Sequence, residues 1–175
     1  RHEQGAAHAA QAYAQVSGKT AVCFATSGPG ATNLVTGIAN AYLDSIPVVF
    51  ITAQVISNLI GSAAFQETDI LGISTPVTKW NYQVRKAEEI PGIIAKAFFI
   101  AGTGRPGPVL IDITKDALLD LVDFSYEKCT WIRSYNPKLV QMKESVVREA
   151  AELINQAQKP MILAGHGVLI AKAEK

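Results

Sequence analysis

Apolar residues along this chain come in blocks whose spacing switches between helical and strand periods. Residues 3–17 are dominated by alanine, with Gly5, Tyr13 and Val16 among them. Alanine favours helix, and such small side chains let a neighbouring element approach closely. Ser17-Gly18-Lys19 ends the block. Residues 20–26 (TAVCFAT) form a short apolar run of β-branched and aromatic residues, which predicts a buried strand. After the turn Ser27-Gly28-Pro29-Gly30, Leu34, Val35, Ile38, Ala41 and Tyr42 fall at helical spacing and predict a helix over 31–44. Pro47 opens a strand over 48–52, and residues 53–72 read as a loop with short helical pieces. A strand over 78–84, a helix over 87–102 and a strand over 109–113 follow, the last behind the breaker cluster Gly104-Arg105-Pro106-Gly107-Pro108.

Strands that are nearly continuous in apolar residues and alternate with helices predict an α/β fold. The expected core is a doubly wound parallel sheet with helices on both faces. The pattern fades over 120–137, the expected interdomain linker. An amphipathic helix over 139–156, a strand over 160–164 and Gly165-His166-Gly167 then predict the start of a second α/β domain. The expected division is 1–120, a linker at 121–137, and 138–175.

Composition narrows the functional classes. The chain has 175 residues, enough for one domain or one and part of another. Apolar residues at 49% against 18% charged belong to a packed core and not to a disordered chain. A net charge of +1, with no basic run beyond a dipeptide, leaves no electrostatic footprint for nucleic acid. No apolar run approaches the ~18 residues of a membrane span. Cys23 and Cys129 make no disulfide framework, which fits a reducing cytoplasmic or organellar setting.

The polar residues that interrupt these blocks are the candidate chemistry. His2 and His8 are six apart, about 120° out of phase on a helix, so they cannot chelate one ion, and no metal site is expected. Ser27 to Asn33 lies between a strand and a helix, where anions bind. Its glycines break the dinucleotide fingerprint, and a plain tight turn fits as well as a ligand loop. Glu3 suits a helix start, solvated or packed against a partner. Phe65-Gln66-Glu67 sits on a loop, and Arg105 in a turn. Lys115-Asp116 follows a buried strand at the sheet edge where open α/β folds bind ligands.

Four segments taken in order carry a resemblance: RHEQGAAHAAQAYA, ATSGPGATNLVTGIANAYLDSIPVV, IGSAAFQETDI and GRPGPVLIDITKDA. Together they resemble the pyrimidine-binding domain of the acetohydroxyacid (acetolactate) synthase family of thiamine-diphosphate-dependent enzymes. The likeness is dense over 1–117 and looser after the linker. It implies that residues 1–120 are this domain without its first strand–helix unit, and that 138–175 begin a central FAD-associated domain. It also implies catalysis of pyruvate decarboxylation and carboligation to a second 2-keto acid, giving 2-acetolactate or 2-aceto-2-hydroxybutyrate for branched-chain amino acids.

By the same resemblance Glu3 exchanges a proton with the cofactor's aminopyrimidine, its carboxyl pKa raised by desolvation. Gly28, Pro29, Asn33 and Gln66 approach the cofactor. Gln66 offers its amide to the bound intermediate, and Phe65 and Lys115 line the substrate channel, with Lys115 also counted as catalytic. Arg105, Gly165 and Gly167 contact FAD. Mg²⁺ would be held by a Gly-Asp-Gly…Asn motif that does not occur here. The implied partners are a second copy in a dimer or tetramer and a small regulatory subunit; this stretch alone is expected to be inactive. Ala53 and Ile56 replace a usual glycine and proline, which implies weakened sulfonylurea sensitivity, and Thr114 replaces a usual proline. Another carboligase or decarboxylase using this cofactor, and a non-catalytic α/β module, are the alternative readings.

Overall fold

The computed structural model describes residues 2–135 and 141–173. They fall into two compact units, Arg1–Pro137 and Lys138–Lys175.

The first unit is built on four parallel strands: β1 (Ala21–Ala25), β2 (Val48–Gln54), β3 (Trp80–Val84) and β4 (Val109–Thr114), in the order β1-β2-β4-β3. The centre of the sheet shows why these segments are strands. Every residue of β4 (VLIDIT) is buried, as a strand covered on both faces requires. β1 and β3 lie at the edges. β1 accordingly alternates, with Ala21 and Cys23 buried while Val22 and Phe24 face outward.

One face is covered by α1 (Glu3–Ser17), α3 (Val35–Leu43) and α4 (Ile70–Ser74). The other is covered by α5 (Ile90–Gly102), joined by Ala117 of the short α6 (Lys115–Leu119). α1 ends as its sequence predicts: Gly18 takes the left-handed conformation (φ 66°) and its N–H donates to Ala14 O at 3.0 Å. Ala7, Ala10, Gln11 and Ala14 form the buried stripe of α1, at helical spacing. α3 meets this stripe through Gly37, where a Cβ would collide with that of Ala7. Gln11, buried in the seam, donates to Gly37 O and accepts from Asn40 Nδ2 at 2.8 Å, so no polar atom is stranded there.

Two expectations are corrected, and one element is new. The single helix over 31–44 is two helices, α2 (Pro29–Asn33) and α3, because the chain tightens at Leu34, whose N–H turns back to Ala31 O. α6 was not anticipated at all. The run at 160–164 forms no strand, since no strand in the described part of the second unit offers it a ladder. That unit contributes α7 (Glu144–Gln156), with an exposed Glu144–Arg148 pair at 2.7 Å, and the short α8 (Gly167–Ile170). Part of the expected start of α7, at 139–140, lies outside the described residues.

Packing carries the first unit past Asp120. Tyr135 donates its hydroxyl to Thr103 O at 2.8 Å, meets Phe99 edge-on, and lies beneath the Lys79 ammonium.

Candidate functional site

Because all four strands are parallel, the loops that follow them gather at one edge of the sheet. α1 enters at that same edge. Glu3, the first residue of α1, accepts a hydrogen bond at Oε2 from Asn33 Nδ2 at 3.0 Å, across thirty positions of sequence. Asn33 ends α2, whose N-cap is Gly28 and whose first residue is Pro29. Gly28 has φ 57° and ψ −116°, which glycine adopts freely. A Cβ there would stand 2.6 Å from Gln66 O, so the β1–α2 turn and the β2–α4 loop touch through their backbones. Glu3, Gly28, Pro29, Asn33 and Gln66 are thus brought together. Gln66 itself sits at φ 61°, left-handed and strained for a residue with a side chain.

Phe65 and Lys115 share this edge. Phe65 stands 88% exposed beside Gln66. Lys115 opens α6, directly after β4, and is exposed. Its neighbour Asp116 accepts from Ser57 N at 3.1 Å, tying α6 to the start of the β2–α4 loop. Thr114 and Ser57 hold the Asp116 carboxyl down to about 2. Glu67 does similar work further along. It accepts from the N–H groups of Gly61 and Ala64, which lowers its pKa and shapes the loop around Phe65.

The Glu3 carboxyl departs from expectation. Its pKa is lowered, not raised, first by the Asn33 amide and then by its own backbone N–H at the helix start. The residue is only half-buried, so desolvation is too weak to reverse the sign.

Arg105 is placed elsewhere. It precedes β4 and so lies at the opposite edge, donating from Nε to Ser45 Oγ at 2.7 Å and from Nη2 to Tyr42 O and Leu43 O, the last carbonyls of α3. Gly165 and Gly167 belong to the second unit, with open space where a Cβ would stand. Among the described residues no three His, Cys, Asp or Glu side chains converge to hold a metal ion, and no helix is long and apolar enough to cross a membrane.

Sequence reasoning missed one buried group. Asp112 is 0% exposed in the middle of β4 and accepts three hydrogen bonds: Thr52 Oγ1 at 2.7 Å, Gln83 Nε2 at 3.0 Å and Gln54 Nε2 at 3.1 Å. The available signal was an acid between two isoleucines in an otherwise apolar strand.

A parallel α/β unit that sets an acid, a glycine turn and an exposed amide at the carboxyl edge has the form of a cofactor-binding domain. Residues 1–73 match the family described as thiamine pyrophosphate enzyme, N-terminal TPP binding domain. The match includes Glu3, Gly28, Pro29, Asn33 and Gln66, while Arg105 and Lys115 lie beyond it. The chain belongs to this thiamine pyrophosphate enzyme family. More particularly, it is similar to acetolactate synthase large subunits. It is 53% identical over 173 residues to that of Mycobacterium tuberculosis, covering 99% of this chain and 28% of the relative. It is 51% identical over 178 residues to the probable large subunit of Methanocaldococcus jannaschii (100% and 30%). With the Haemophilus influenzae large subunit the identity is 49% over 177 residues (100% and 31%). The chain therefore spans less than a third of the length of these relatives.

Proposed function

We propose that the intact protein is the catalytic subunit of an acetolactate synthase, decarboxylating pyruvate and joining the two-carbon unit to a second 2-keto acid. The observation that carries this reading is the Glu3–Asn33 pair beside the Gly28–Gln66 contact. Thiamine diphosphate fits this donor set: Asn33 occupies one oxygen of Glu3, and the other, Oε1, faces Gly30, where only hydrogen stands on Cα. When bound, thiamine diphosphate supplies the carbon nucleophile and the electron sink.

The residues of this chain do the rest. Asn33 fixes the Glu3 carboxyl so that Oε1 can hold or pass a proton at an aminopyrimidine nitrogen. The Gly28 turn lets the backbone come close, and Pro29 stiffens it. Gln66 offers an amide to the reacting oxygen atoms. Phe65 walls the entrance, and Lys115 draws in anionic 2-keto acids. Closing the site against a second subunit would dry the Glu3 pocket and raise its pKa, reversing the sign seen here.

Mg²⁺ and its ligands belong to a part of the protein outside this chain. FAD is a structural group only, and no step runs through it. The exposed Arg105 guanidinium suits an anionic group of this kind, and in the second unit Gly165 and Gly167, with open space where a Cβ would stand, allow close approach of a ligand. The exposure of Phe65 and Gln66 supports a site completed by another copy, and a regulatory small subunit accords with relatives named large subunits. Free thiols at Cys23 and Cys129 suit the cytoplasm or an organelle.

The test uses the full-length protein with pyruvate, thiamine diphosphate, Mg²⁺ and FAD. Acetolactate should accumulate, and Glu3→Gln should lower the rate by about two to four orders of magnitude, the usual worth of a positioned acid–base group. CO₂ without acetolactate would reassign the protein to another decarboxylase of this cofactor class. No turnover at all would favour a non-catalytic module.

A further inference from the structure

The polar network under the carboxyl edge does more than satisfy a buried acid. Among the described residues no cation pairs with Asp112, yet three donors converge on it. Burial pushes its carboxyl up, while the bonds from Thr52, Gln83 and Gln54 pull the other way. One of these donors is itself polarised from the surface: Arg85 Nε donates to Gln83 Oε1 at 2.9 Å, so the exposed guanidinium reaches the buried acid through an amide.

Gln54 is the informative member. It closes β2, and each end of its amide serves the loop that follows. Oε1 accepts from Val55 N at 2.9 Å, where the loop begins. Nε2 donates both to Asp112 Oδ2 and to Thr68 O at 2.9 Å, where the loop ends. The loop pinned this way carries Phe65 and Gln66, and its backbone rests on Gly28. An amide serving both ends must keep one orientation: Val55 N–H requires Oε1 on its side, Thr68 O requires Nε2 on the other, and the buried acid anchors that amide by accepting from Nε2 as well.

We propose that Asp112 is a positioning residue, which anchors the Gln54 amide so that it pins both ends of the 55–68 loop and seats Phe65 and Gln66 against the Gly28 turn. The inference rests on the reading of Gln66 and Phe65 as site residues, but the loop device can be measured without it. Acceptor geometry, not charge, is the requirement. Asp112→Asn preserves the geometry, since its Oδ1 can take both amide donors while its Nδ2 donates to the Thr52 hydroxyl.

The experiment compares Asp112→Leu, Asp112→Asn and Gln54→Leu in the full-length protein. It reads hydrogen exchange of the 55–68 amides, kcat, and half-saturation by thiamine diphosphate. Asp112→Leu and Gln54→Leu should each speed exchange in the loop and lower kcat by roughly tenfold or more, the factor that goes with a lost buried hydrogen bond. Half-saturation by thiamine diphosphate should rise with the loss of kcat, because the loop that carries Gln66 rests on the Gly28 turn. Asp112→Asn should restore parental exchange and kcat, and the Leu–Leu double variant should be no worse than Gln54→Leu, because both act through one amide. If Asp112→Leu does not fold, Gln54→Leu carries the test. Parental exchange and kcat in Gln54→Leu would overturn the proposal, as would an Asp112→Asn variant as impaired as Asp112→Leu. A parent that makes no acetolactate, with loop exchange responding as described, would retire the assigned reaction and keep the loop device.

Discussion

Thr114 stands where the family resemblance would place a proline, and the structure gives that exchange a consequence. A hydroxyl at this position bonds Ser57 Oγ at 3.3 Å and, with Ser57, holds Asp116 at about 2 against an ordinary 3.8. The folded value is depressed, so the contribution to stability is full above 3.8 and is lost as pH falls through about 2. The Asp116 carboxyl carbon, followed by NMR, should still report an ionised group near pH 3, about one unit below the usual aspartate midpoint. Thr114→Val should move its midpoint up toward the ordinary value. Ile56 is the complementary case. Its φ of −61° is already that of proline. Ile56→Pro should be tolerated, with a gain of about 0.4–1 kcal/mol in chemical denaturation. In the intact enzyme it should also lower the sulfonylurea inhibition constant.

Among the elements, the α1–α3 seam is the tightest joint. Gly37→Ala would drive a methyl into Ala7 and should cost about 1–3 kcal/mol, measured by denaturant titration, with Ala7→Gly restoring part of the loss. At the far end of α5, Lys79 donates to Ile100 O and to Thr103 O, and burial lowers its pKa to about 8 from 10.5. A lysine depressed in the fold leaves the unfolded state with more protons between those values. Stability should therefore rise with pH across that window, and Lys79→Met should flatten the rise. The strands and long helices were legible because residues 20–26, 87–102 and 109–113 keep one period for long enough to read. The break at Leu34 and the short α6 were not, since each depends on packing within a turn or two. The run at 160–164 has a strand's composition but no neighbour to make it one. Asp112 escaped notice because one acid in an apolar block reads as noise until its three donors, drawn from two other strands, are brought beside it. Glu3, Gly28, Asn33 and Gln66 were readable only through resemblance: nothing in their spacing says that they meet.

At the scale of the whole first unit, the sheet is unequally covered. Val22 and the 69% exposed Phe24 of edge strand β1 face a largely apolar hollow of about 580 Å³, which also takes in Ile94, Phe98 and Leu118. An apolar face of this kind promotes association. The isolated chain should sediment with a concentration-dependent mass, and Phe24→Glu should reduce that dependence without unfolding the sheet. Thermal stability is likewise a property of the whole molecule, and selection acting on it alone would reshape one feature already described. Gln66 and Ala63 both keep side chains on left-handed backbone, at a cost of about 1 kcal/mol each. An unguided stability screen should recover glycine at both positions. At Ala63 the substitution should come free. At Gln66 the most heat-resistant clones would be the least competent, and a library sorted first by melting temperature would discard the side chain assigned to the reaction.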